Sequence, residues 1–418
     1  MDNRKKLIVA LVVVTILICS IIVIRFPSPL GSIVVPDDYS SIHTAVDNAF
    51  SGQTVYVKSG IYTGQSITIN KPLSLIGENP NNTILVGINN VKYPPPYVIQ
   101  VSADNVKVAG FTIMNGSLGG IRVEKVSSDT QTIGCIISGN NIVNNNNNGV
   151  ITYNGKALTV SNNNISNNTG YGIYDSSSQS VISNNYIAEN GVFGIIVDSS
   201  SGVSVNRNII KRNGNVQNNE EQGGIVLRWF GNFEVYANNI TDNIGDGVQF
   251  SEGCSNSIVH DNNIKNNTVG IDLFNFAITN NSEKIGIGSD NKVYRNNLSN
   301  YQNAFIQTSF AYGNISTITY AIGNGTDVVS WDNGAVGNYW SDYAGNGTYV
   351  INQINIDHHP LTQQVGISVN TPTLTPLSTG FVITVPLLVL VFAIIMGIVS
   401  LLLFRRYQRA ISQNKPNV

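Results

Sequence analysis

A short phrase, Asn-Asn-Ile, returns at nearly constant intervals through the middle of the chain and constrains its folding more than any other feature. With close variants it places an apolar residue at Ile142, Ile165, Ile187, Ile209, Ile240, Ile264 and Leu298. These positions are separated by 23, 22, 22, 31, 24 and 34 residues, a repeat of about 22 to 24 residues with two insertions. A Gly followed by Ile or Val recurs in fixed phase after the first six phrases, from Gly149-Val150 to Gly270-Ile271. The two echoes together predict a repeated structural unit.

The composition of this unit predicts one coil of a β-solenoid. Short runs of Ile and Val alternate with Asn, Ser and Gly, and such a coil buries its inward residues only by stacking on its neighbours. We expect the Asn before the Ile at a corner, because Asn tolerates the left-handed backbone region and its amide can bond the equivalent Asn of the next coil. The prediction is an all-β fold of about 10 to 12 coils, whose handedness the repeat length alone does not fix.

The overall composition limits the partners of such a fold. The 418 residues are only 11% charged, with a net charge of -2, so the chain lacks the basic surface that nucleic acid requires. Cys135 and Cys254 are expected about five coils apart, roughly 24 Å at the strand spacing. That distance is too long for a disulfide.

The chain before the array predicts a membrane segment and a cap. Basic residues at positions 4–6 precede the apolar run Leu7 to Ile24, so residues 1–30 are expected to be a signal peptide or an N-terminal signal anchor. Residues 40–50 carry apolar side chains at helical spacing, which predicts a short amphipathic cap helix. Ser40 or Ser41 is its expected N-cap, and the helix is expected to cover the open first coil.

The chain after the array predicts a second membrane segment. Residues 362–380 form a Thr/Pro linker that should be extended and resist packing. Residues 381–404 form an apolar run long enough for a transmembrane helix, and the arginines that follow place a cytoplasmic tail at 405–418. The protein is therefore expected in the cell membrane, held by one or two spans, with a β-helix ectodomain at 33–361 outside and its main repeats at 105–305.

Three stretches resemble a known group of proteins. The run VPDDYSSIHTAVDNAFSGQTVYVKSGIY from Val35 to Tyr62 resembles the N-terminal cap and first coil of pectin-lyase-like right-handed parallel β-helices. The Asn-Asn-x-Ile coils resemble the NosD-type branch of that superfamily. The run WDNGAVGNYWSDY from Trp331 to Tyr343, within a closing segment at 328–361, is similar to the segment that ends those arrays. The resemblance covers about Ile33 to Leu361 and implies a right-handed parallel β-helix without implying an activity.

Side-chain alternation after each Gly predicts a candidate site. Residues two and four positions after the Gly should project to one exposed face, which makes Asp198 and Arg228 neighbours across adjacent coils. The candidate catalytic residues are Asp198, Arg228, Asp175 and Asp246, and the candidate binding residues are Trp229, Tyr174, Asp272 and Glu252. Carboxylate pairs or a carboxylate with Arg suit carbohydrate chemistry on such a surface. An ordinary cross-strand ion pair is the alternative.

The enzymatic motif around Asp175 is incomplete. Tyr171-Gly-Ile-Tyr-Asp175 resembles the Tyr-Gly-Phe-Asp start of alginate epimerase and lyase sites, but Ser176 stands where those sites have His. The sequence also lacks the cluster of three acidic residues that polygalacturonases carry.

Metal sites are not predicted. NosD proteins are associated with copper-site assembly, and copper prefers His, Cys and Met ligands. Of the four His, only His358 and His359 are close in sequence, and adjacent strand residues should face opposite ways. Calcium is the alternative, although the sequence does not show a complete set of oxygen ligands for it, and no other cofactor is expected.

An ectodomain outside the cell exposes glycosylation sequons. The candidate glycan acceptors are Asn81, Asn115, Asn167, Asn266, Asn280, Asn314, Asn324 and Asn346. Asn164, Asn239 and Asn297 also lie in sequons, but they are expected to belong to the corner row and to point inward.

Three functions agree with the sequence. The first is a membrane-anchored cell-surface module that binds glycans or envelope proteins, such as surface-layer proteins, without catalysis. The second is a polysaccharide lyase, hydrolase or epimerase acting on an envelope or extracellular polysaccharide. The third is a NosD-like copper accessory protein. Fold alone does not choose among them.

Overall fold

The computed structural model describes residues 31–88, 97–125, 130–215, 221–251, 253–279, 288–312, 319–322 and 329–374. The predicted N-terminal segment at 1–30, the transmembrane helix at 381–404 and the tail at 405–418 lie outside these residues. Within the ranges just given, no helix is long and apolar enough to cross a bilayer.

The chain winds through three long parallel sheets, which we name A, B and C in the order in which each coil visits them. Sheet A contains Ile33–Val35, Thr54–Val57, Ser74–Gly77, Lys107–Ala109, Ile136–Ser138, Thr159–Ser161, Val181–Ser183, Ser204–Asn206, Glu234–Tyr236, Ile258–His260 and Lys292–Tyr294. Sheet B contains Gly60–Gln65, Thr83–Gly87, Thr112–Met114, Asn141–Val143, Asn164–Ser166, Tyr186–Ala188, Ile209–Lys211, Asn239–Thr241, Asn263–Lys265, Asn297–Ser299 and Tyr339–Trp340. Eleven strands in each of these sheets agree with the predicted number of coils.

Sheet C carries the longest strands. Its parallel members are Ile67–Ile69, Tyr97–Val101, Gly119–Val123, Asn148–Lys156, Ile173–Ser178, Phe193–Ser201, Gly223–Gly231, Asp246–Phe250, Val269–Thr279 and Gln302–Tyr312, and Thr319–Ile322 is added antiparallel at the end. Short side strands Thr132–Ile133 and Cys254–Ser255 pair along it, and Tyr349–Val350 pairs with Ile356–Asp357 in the closing segment. The extra length of sheet C gives the solenoid one broad outer face.

The interior is filled by apolar side chains from most strands of the three sheets. In sheet B, Ile142 pairs with Ile165, and Ile165 with Ile187, each fully buried. The next member of this row is Ile210, so the prediction of Ile209 was wrong by one residue. Because Ile209 and Ile210 are both apolar, the sequence does not show which of them continues the row. The structure pairs Ile210 with Ile187 and buries Ile210 completely.

Eight asparagines line the corner between sheets A and B, and each bonds the next along the solenoid. They are Asn140, Asn163, Asn185, Asn208, Asn238, Asn262, Asn296 and Asn338, all fully buried. The Nδ2 of Asn163 donates to Oδ1 of Asn185 at 3.1 Å, and the Asn163 backbone N–H donates to the same oxygen at 3.0 Å. The row ends where the Asn338 N–H donates to the Asp357 carboxylate at 2.7 Å. The predicted ladder is confirmed.

The backbone reason given for this ladder was wrong. The left-handed position is the residue before the ladder Asn, where φ is 57° at Asn162, 53° at Arg207 and 53° at Ala237. Several residue types therefore occupy it, and the ladder Asn is selected by its side-chain hydrogen bonds. Asn164 and Asn297 do not belong to the inward row, because each follows a ladder Asn and begins a strand of sheet B.

A second ladder at the corner between sheets B and C was not predicted. It runs through Asn145, Asn168, Asn190, Asn213, Asn243, Asn267 and Asn300 with Nδ2 to Oδ1 distances of 2.9 or 3.0 Å. The repeated Gly lies beside it. A Cβ on Gly149 would come within 2.5 Å of Ile165 Cγ2 and 3.0 Å of Asn168 Nδ2. The recurring Gly is therefore required because a side chain at its position would collide with the second ladder and with the core Ile.

The cap helix is shorter than the predicted 40–50. It spans Ile42–Asn48, and the Ser41 side chain accepts from Thr44 N–H as its N-cap. Ile42, Ala45 and Val46 are buried, whereas Phe50 is 61% exposed beyond the helix end. Farther along the chain, Lys107–Ala109 and Thr112–Met114 are separate strands, with a corner between them at Gly110, which has φ 83°.

Two buried Trp close the last coil. Trp331 Nε1 donates to Asn355 Oδ1 at 3.0 Å, and Trp340 Nε1 donates to Asp357 Oδ2 at 2.8 Å. Tyr349 stacks on Trp340 with ring centroids 4.1 Å apart. Each indole N–H thus has the acceptor that a buried Trp needs.

The start of the predicted linker packs against the solenoid instead of standing free. Within residues 362–374, the Val365 backbone N–H donates to Asn297 Oδ1 at 2.7 Å and its carbonyl accepts from Asn297 Nδ2 at 2.8 Å. The Ile367 carbonyl accepts from Asn263 Nδ2 at 3.3 Å, one coil earlier. The segment therefore runs back along the outer face of sheet B. Residues 375–380 of the linker lie outside the described residues.

The first ladder should dominate the stability of the middle coils. In an Asn185→Ala variant, the N–H and Nδ2 of Asn163 lose their acceptor, and the Val160 carbonyl loses a 2.8 Å donor. Each unmet buried group costs about 1–3 kcal/mol, so we expect unfolding free energy to fall by roughly 3 kcal/mol or more in denaturant titrations.

Asn164→Ala is the matched control, because Asn164 is half-buried on the outer face of sheet B. We expect a loss of about 1 kcal/mol or less there. Equal losses in the two variants would show that the buried ladder is not special.

Candidate functional site

The outer face of sheet C places the predicted offset residues in columns. Tyr174, Ile196, Val226, Gln249 and Asp272 pair successively across neighbouring strands. Asp198 pairs with Arg228 in the next column. Alternation from the repeated Gly therefore predicted the columns, but Ile196, Val226, Gln249 and Asp272 are buried and not exposed as expected.

Asp198 and Arg228 form a partly buried ion pair. Arg228 Nη2 lies 3.0 Å from Asp198 Oδ2, and the two side chains are 34% and 9% exposed. The Tyr174 hydroxyl donates to the same carboxylate oxygen, and Ser199 Oγ donates to Oδ1 at 3.0 Å. Burial, followed by the bond to Asp198, raises the pKa of the Tyr174 hydroxyl. The carboxylate is held by three donors, so the contact is more than a solvated cross-strand pair.

A cluster of aromatic rings extends this pair toward the N-terminal coils. Tyr174 packs against Tyr153 and Tyr171 with ring centroids 5.3 Å and 6.0 Å apart. Arg122 lies over the rings of Tyr97 and Tyr153 at 5.6 Å and 5.5 Å. From Tyr97 to Arg228 this surface, which we call the aromatic face, crosses six coils, or about 24 Å at the usual strand spacing.

The sequence prediction left out the residues of this face that precede Tyr174. Arg122 is two residues after Gly120, and Tyr153 is four residues after Gly149. The same offset rule, applied from Gly120 onward, would have included both. Tyr97 carries no such signal, because the positions two and four residues before it are Pro95 and Tyr93 and not Gly.

The C-terminal coils of the same face carry an acidic pocket. Asp246 and Asp272 are in hydrogen-bonding contact, and Gln249 Nε2 donates to Asp246 Oδ2 at 3.1 Å. The pocket has a volume of about 350 Å³, and Phe274 and Phe305 also line it. Burial raises the pKa of Asp246 to about 7. Burial, followed by the charge of Asp246, raises the pKa of Asp272.

The remaining candidates do not join these groups. Trp229 is 38% exposed with φ 53° at the far end of its strand, and its ring lies beside Gly253. Glu252 lies outside the described residues. Of the glycan acceptors, Asn81, Asn167, Asn266 and Asn346 are exposed and Asn115 is half-buried. Asn280, Asn314 and Asn324 also lie outside the described residues.

Asp175 faces the interior, away from Asp198 and Arg228. It is 2% exposed, and its Oδ1 accepts from Thr152 and, at 3.5 Å, from Ser180. Its odd offset from Gly172 turns it inward. Burial raises its pKa to about 7. In this position it cannot contact a ligand on the outer face.

Asp175 should give the fold a measurable pH dependence. Its folded pKa of about 7 lies above the ordinary value near 3.8, so the folded protein binds this proton more tightly than the unfolded chain does. Stability is therefore highest at acid pH and falls as pH rises through about 7. Asp175→Asn should remove on the order of 2 kcal/mol of this fall between about pH 5 and about pH 8, measured by thermal unfolding.

Asp246 contributes a fall in the same direction, so some slope should remain in the variant. Superimposable pH profiles for the wild type and Asp175→Asn would contradict the assignment to Asp175.

Two family descriptions match the chain. Residues 97–222 match "Right handed beta helix region", and residues 205–345 match "Periplasmic copper-binding protein (NosD)". No curated protein matches the sequence.

Solved structures share the architecture. The enzymatically active domain of tailspike protein 2 from Bacteriophage CBA120 is 13% identical, with 77% of this chain and 54% of that chain covered and a TM-score of 0.52. Pectate lyase Pel9A is 16% identical over 73% and 80%, with a TM-score of 0.47. The A-module of mannuronan C-5 epimerase AlgE4 from Azotobacter vinelandii is 17% identical over 71% and 99%, with a TM-score of 0.46. At such identities the likeness concerns the fold alone.

The chain is a right-handed parallel β-helix protein. Its later repeats match the NosD description, and that match includes the run from Trp331 to Tyr343.

The copper named in the second description does not fit the donor groups of the described residues. Among them, no group of three or more His, Cys, Asp or Glu could hold a metal ion. His260 is stacked between Tyr236 and Tyr294, each at 5.4 Å, and is bonded to Asp261. Cys135 and Cys254 are buried free thiols, and burial raises their pKa values to about 11 and about 12. These groups do not converge.

His358 and His359 differ from the expectation that they face opposite ways. Their Nδ1 atoms lie 3.2 Å and 3.4 Å from the two oxygens of Asp332. They lie in an irregular turn of the closing segment, where strand alternation does not apply. Both rings are therefore paired with one carboxylate.

Proposed function

We propose that this protein binds a polysaccharide along the aromatic face, as a cell-surface module outside the membrane. The observation that carries the proposal is the row of tyrosines interleaved with Arg122 and with the Asp198–Arg228 pair over consecutive coils. Aromatic rings offer flat apolar contact for sugar rings, with a hydroxyl at the edge. Arg and carboxylate groups supply directional hydrogen bonds to sugar hydroxyls and acids.

The shape of the face supports a chain-like ligand. A solenoid presents equivalent positions at each coil, about 4.8 Å apart, so successive sugars of one polymer can meet successive coils. Beside Tyr174 in the same column, Ile196 and Val226 form with Phe193 a small buried apolar cluster against which Tyr171 and Tyr174 pack. This packing keeps the rings in place without a ligand, which lowers the entropy cost of binding.

The proposed location rests on the ends of the sequence. The apolar runs at 7–24 and 381–404, each with basic residues beside it, favour attachment to the membrane with the β-helix outside. The exposed sequons at Asn81, Asn167, Asn266 and Asn346 agree with that placement.

Loss of one ring should weaken binding without affecting the fold. Tyr171 is partly exposed and contributes a ring contact at 6.0 Å, so Tyr171→Ala should raise the Kd for a bound polysaccharide roughly tenfold. The ligand is first identified by glycan array with the purified protein, and the Kd is then measured by calorimetry.

Tyr236→Ala is the matched control, because Tyr236 stacks on His260 on the outer face of sheet A. It should leave the Kd unchanged. Equal losses in both variants, or no glycan bound by the wild type, would contradict the proposal.

A further inference from the structure

The acidic pocket contains acceptors that the protein leaves unmatched. Among the residues that the structure describes, Asp272 Oδ1 and Gln249 Oε1 have no hydrogen-bond partner, and the two side chains are only 4% and 1% exposed. Both side chains line the pocket. An unmet buried acceptor costs about 1–3 kcal/mol, so a ligand that donates hydrogen bonds here would recover that cost.

The charge of the pocket is also unbalanced. Its lining includes the carboxyl groups of Asp246 and Asp272, and none of the described lining residues is Lys, Arg or His. On the aromatic face, by contrast, the charge of Asp198 is balanced by Arg228. The pocket therefore favours a ligand that brings positive charge as well as donors.

Two other uses of an acid pair agree less well with the geometry. Hydrolysis of a glycosidic bond by two carboxyl groups needs them about 5 Å or more apart, whereas Asp246 and Asp272 are in hydrogen-bonding contact. A hard metal ion needs about six or more oxygen ligands, and no group of three or more acidic, His or Cys residues that could hold one occurs in the described chain.

The rings at the pocket decide between a metal ion and an organic cation. Phe274 and Phe305 line the same space, and Phe305 is 38% exposed. Aromatic faces attract an ammonium group, and the attraction grows when the group is desolvated. Carboxylates, an amide oxygen and two rings together match a protonated amine that is carried on a larger molecule.

We propose that this pocket binds the protonated amine of an amino sugar within the polysaccharide held by the aromatic face. The inference rests on the proposed function, because the pocket continues the same face: Gln249 follows Val226 in the column that begins at Tyr174. The ammonium donates to Asp272 and Gln249, and the rest of the chain lies toward Arg228. An N-acetylated sugar lacks the charge and is discriminated against.

The test compares chitosan oligosaccharides with their N-acetylated counterparts by calorimetry on the intact protein. The wild type should bind the free-amine oligomer about tenfold more tightly, and Asp272→Asn should abolish that preference. Asp242→Asn is the matched control, since Asp242 is an exposed acid shortly before Asp246, and it should keep the preference. Asp272→Asn removes repulsion with Asp246, so its unfolding temperature should be equal or higher, which verifies that the variant is folded.

The outcomes separate this inference from the proposed function. If the wild type binds both oligomers equally, or Asp272→Asn keeps the preference, the inference is wrong while glycan binding stands. If neither these oligomers nor any glycan on an array binds, the proposed function fails as well. Stabilisation of the wild type but not Asp272→Asn by calcium alone would overturn the amine assignment, and so would equal binding of a lysine oligopeptide.

Discussion

The structure depends on hydrogen bonds between buried asparagine side chains. Each ladder amide brings donors and an acceptor into an interior that offers no water, and each would be costly if unmatched. The neighbouring coil supplies the match, because an identical amide lies one strand spacing away. Chains of such bonds polarise one another and strengthen the row. The coils from Asn140 to Asn338 therefore each present an Asn at the same corner, and in the preceding coil Phe111 takes this position and donates its N–H to Asn140 Oδ1 at 3.1 Å.

The two insertions show how strict the register of this ladder is. Asn208 bonds Asn238 at 3.0 Å although 30 residues separate them, and Asn262 bonds Asn296 at 2.9 Å across 34 residues. The additional residues are therefore accommodated outside the sheet A to sheet B corner. Inward positions are constrained by the ladders and the apolar core, whereas outward positions on sheet C are free to vary. Function can be placed on that face without changing the fold.

Most of the fold could be predicted because the same pattern of Asn, Ile and Gly recurs in many coils. The period, the Gly echo and the alternation gave the coil number, the outward columns and the contact between Asp198 and Arg228. The wrong predictions concern residues whose position the repeat does not determine. Asp175 was chosen from a local motif, but it lies an odd number of residues after Gly172, so its side chain points inward. The second ladder was not recognised because Asn is abundant throughout the sequence. The unmatched acceptors of Asp272 and Gln249 could not be predicted, since they depend on atoms from neighbouring coils.

The solenoid explains how an unbalanced acid pair can persist. Stability in a repeat protein is approximately a sum over coils and their interfaces, so the cost of crowding Asp246 against Asp272 stays local. The coils that carry this pair are also joined by both ladders, through Asn238 to Asn262 and Asn243 to Asn267, each at 3.0 Å. The backbone is thereby held in register although the carboxyl groups repel one another. A desolvated pair of acids of this kind persists only where the surrounding scaffold offsets its free-energy cost, and the two ladders contribute to that stability in the coils that carry the pair.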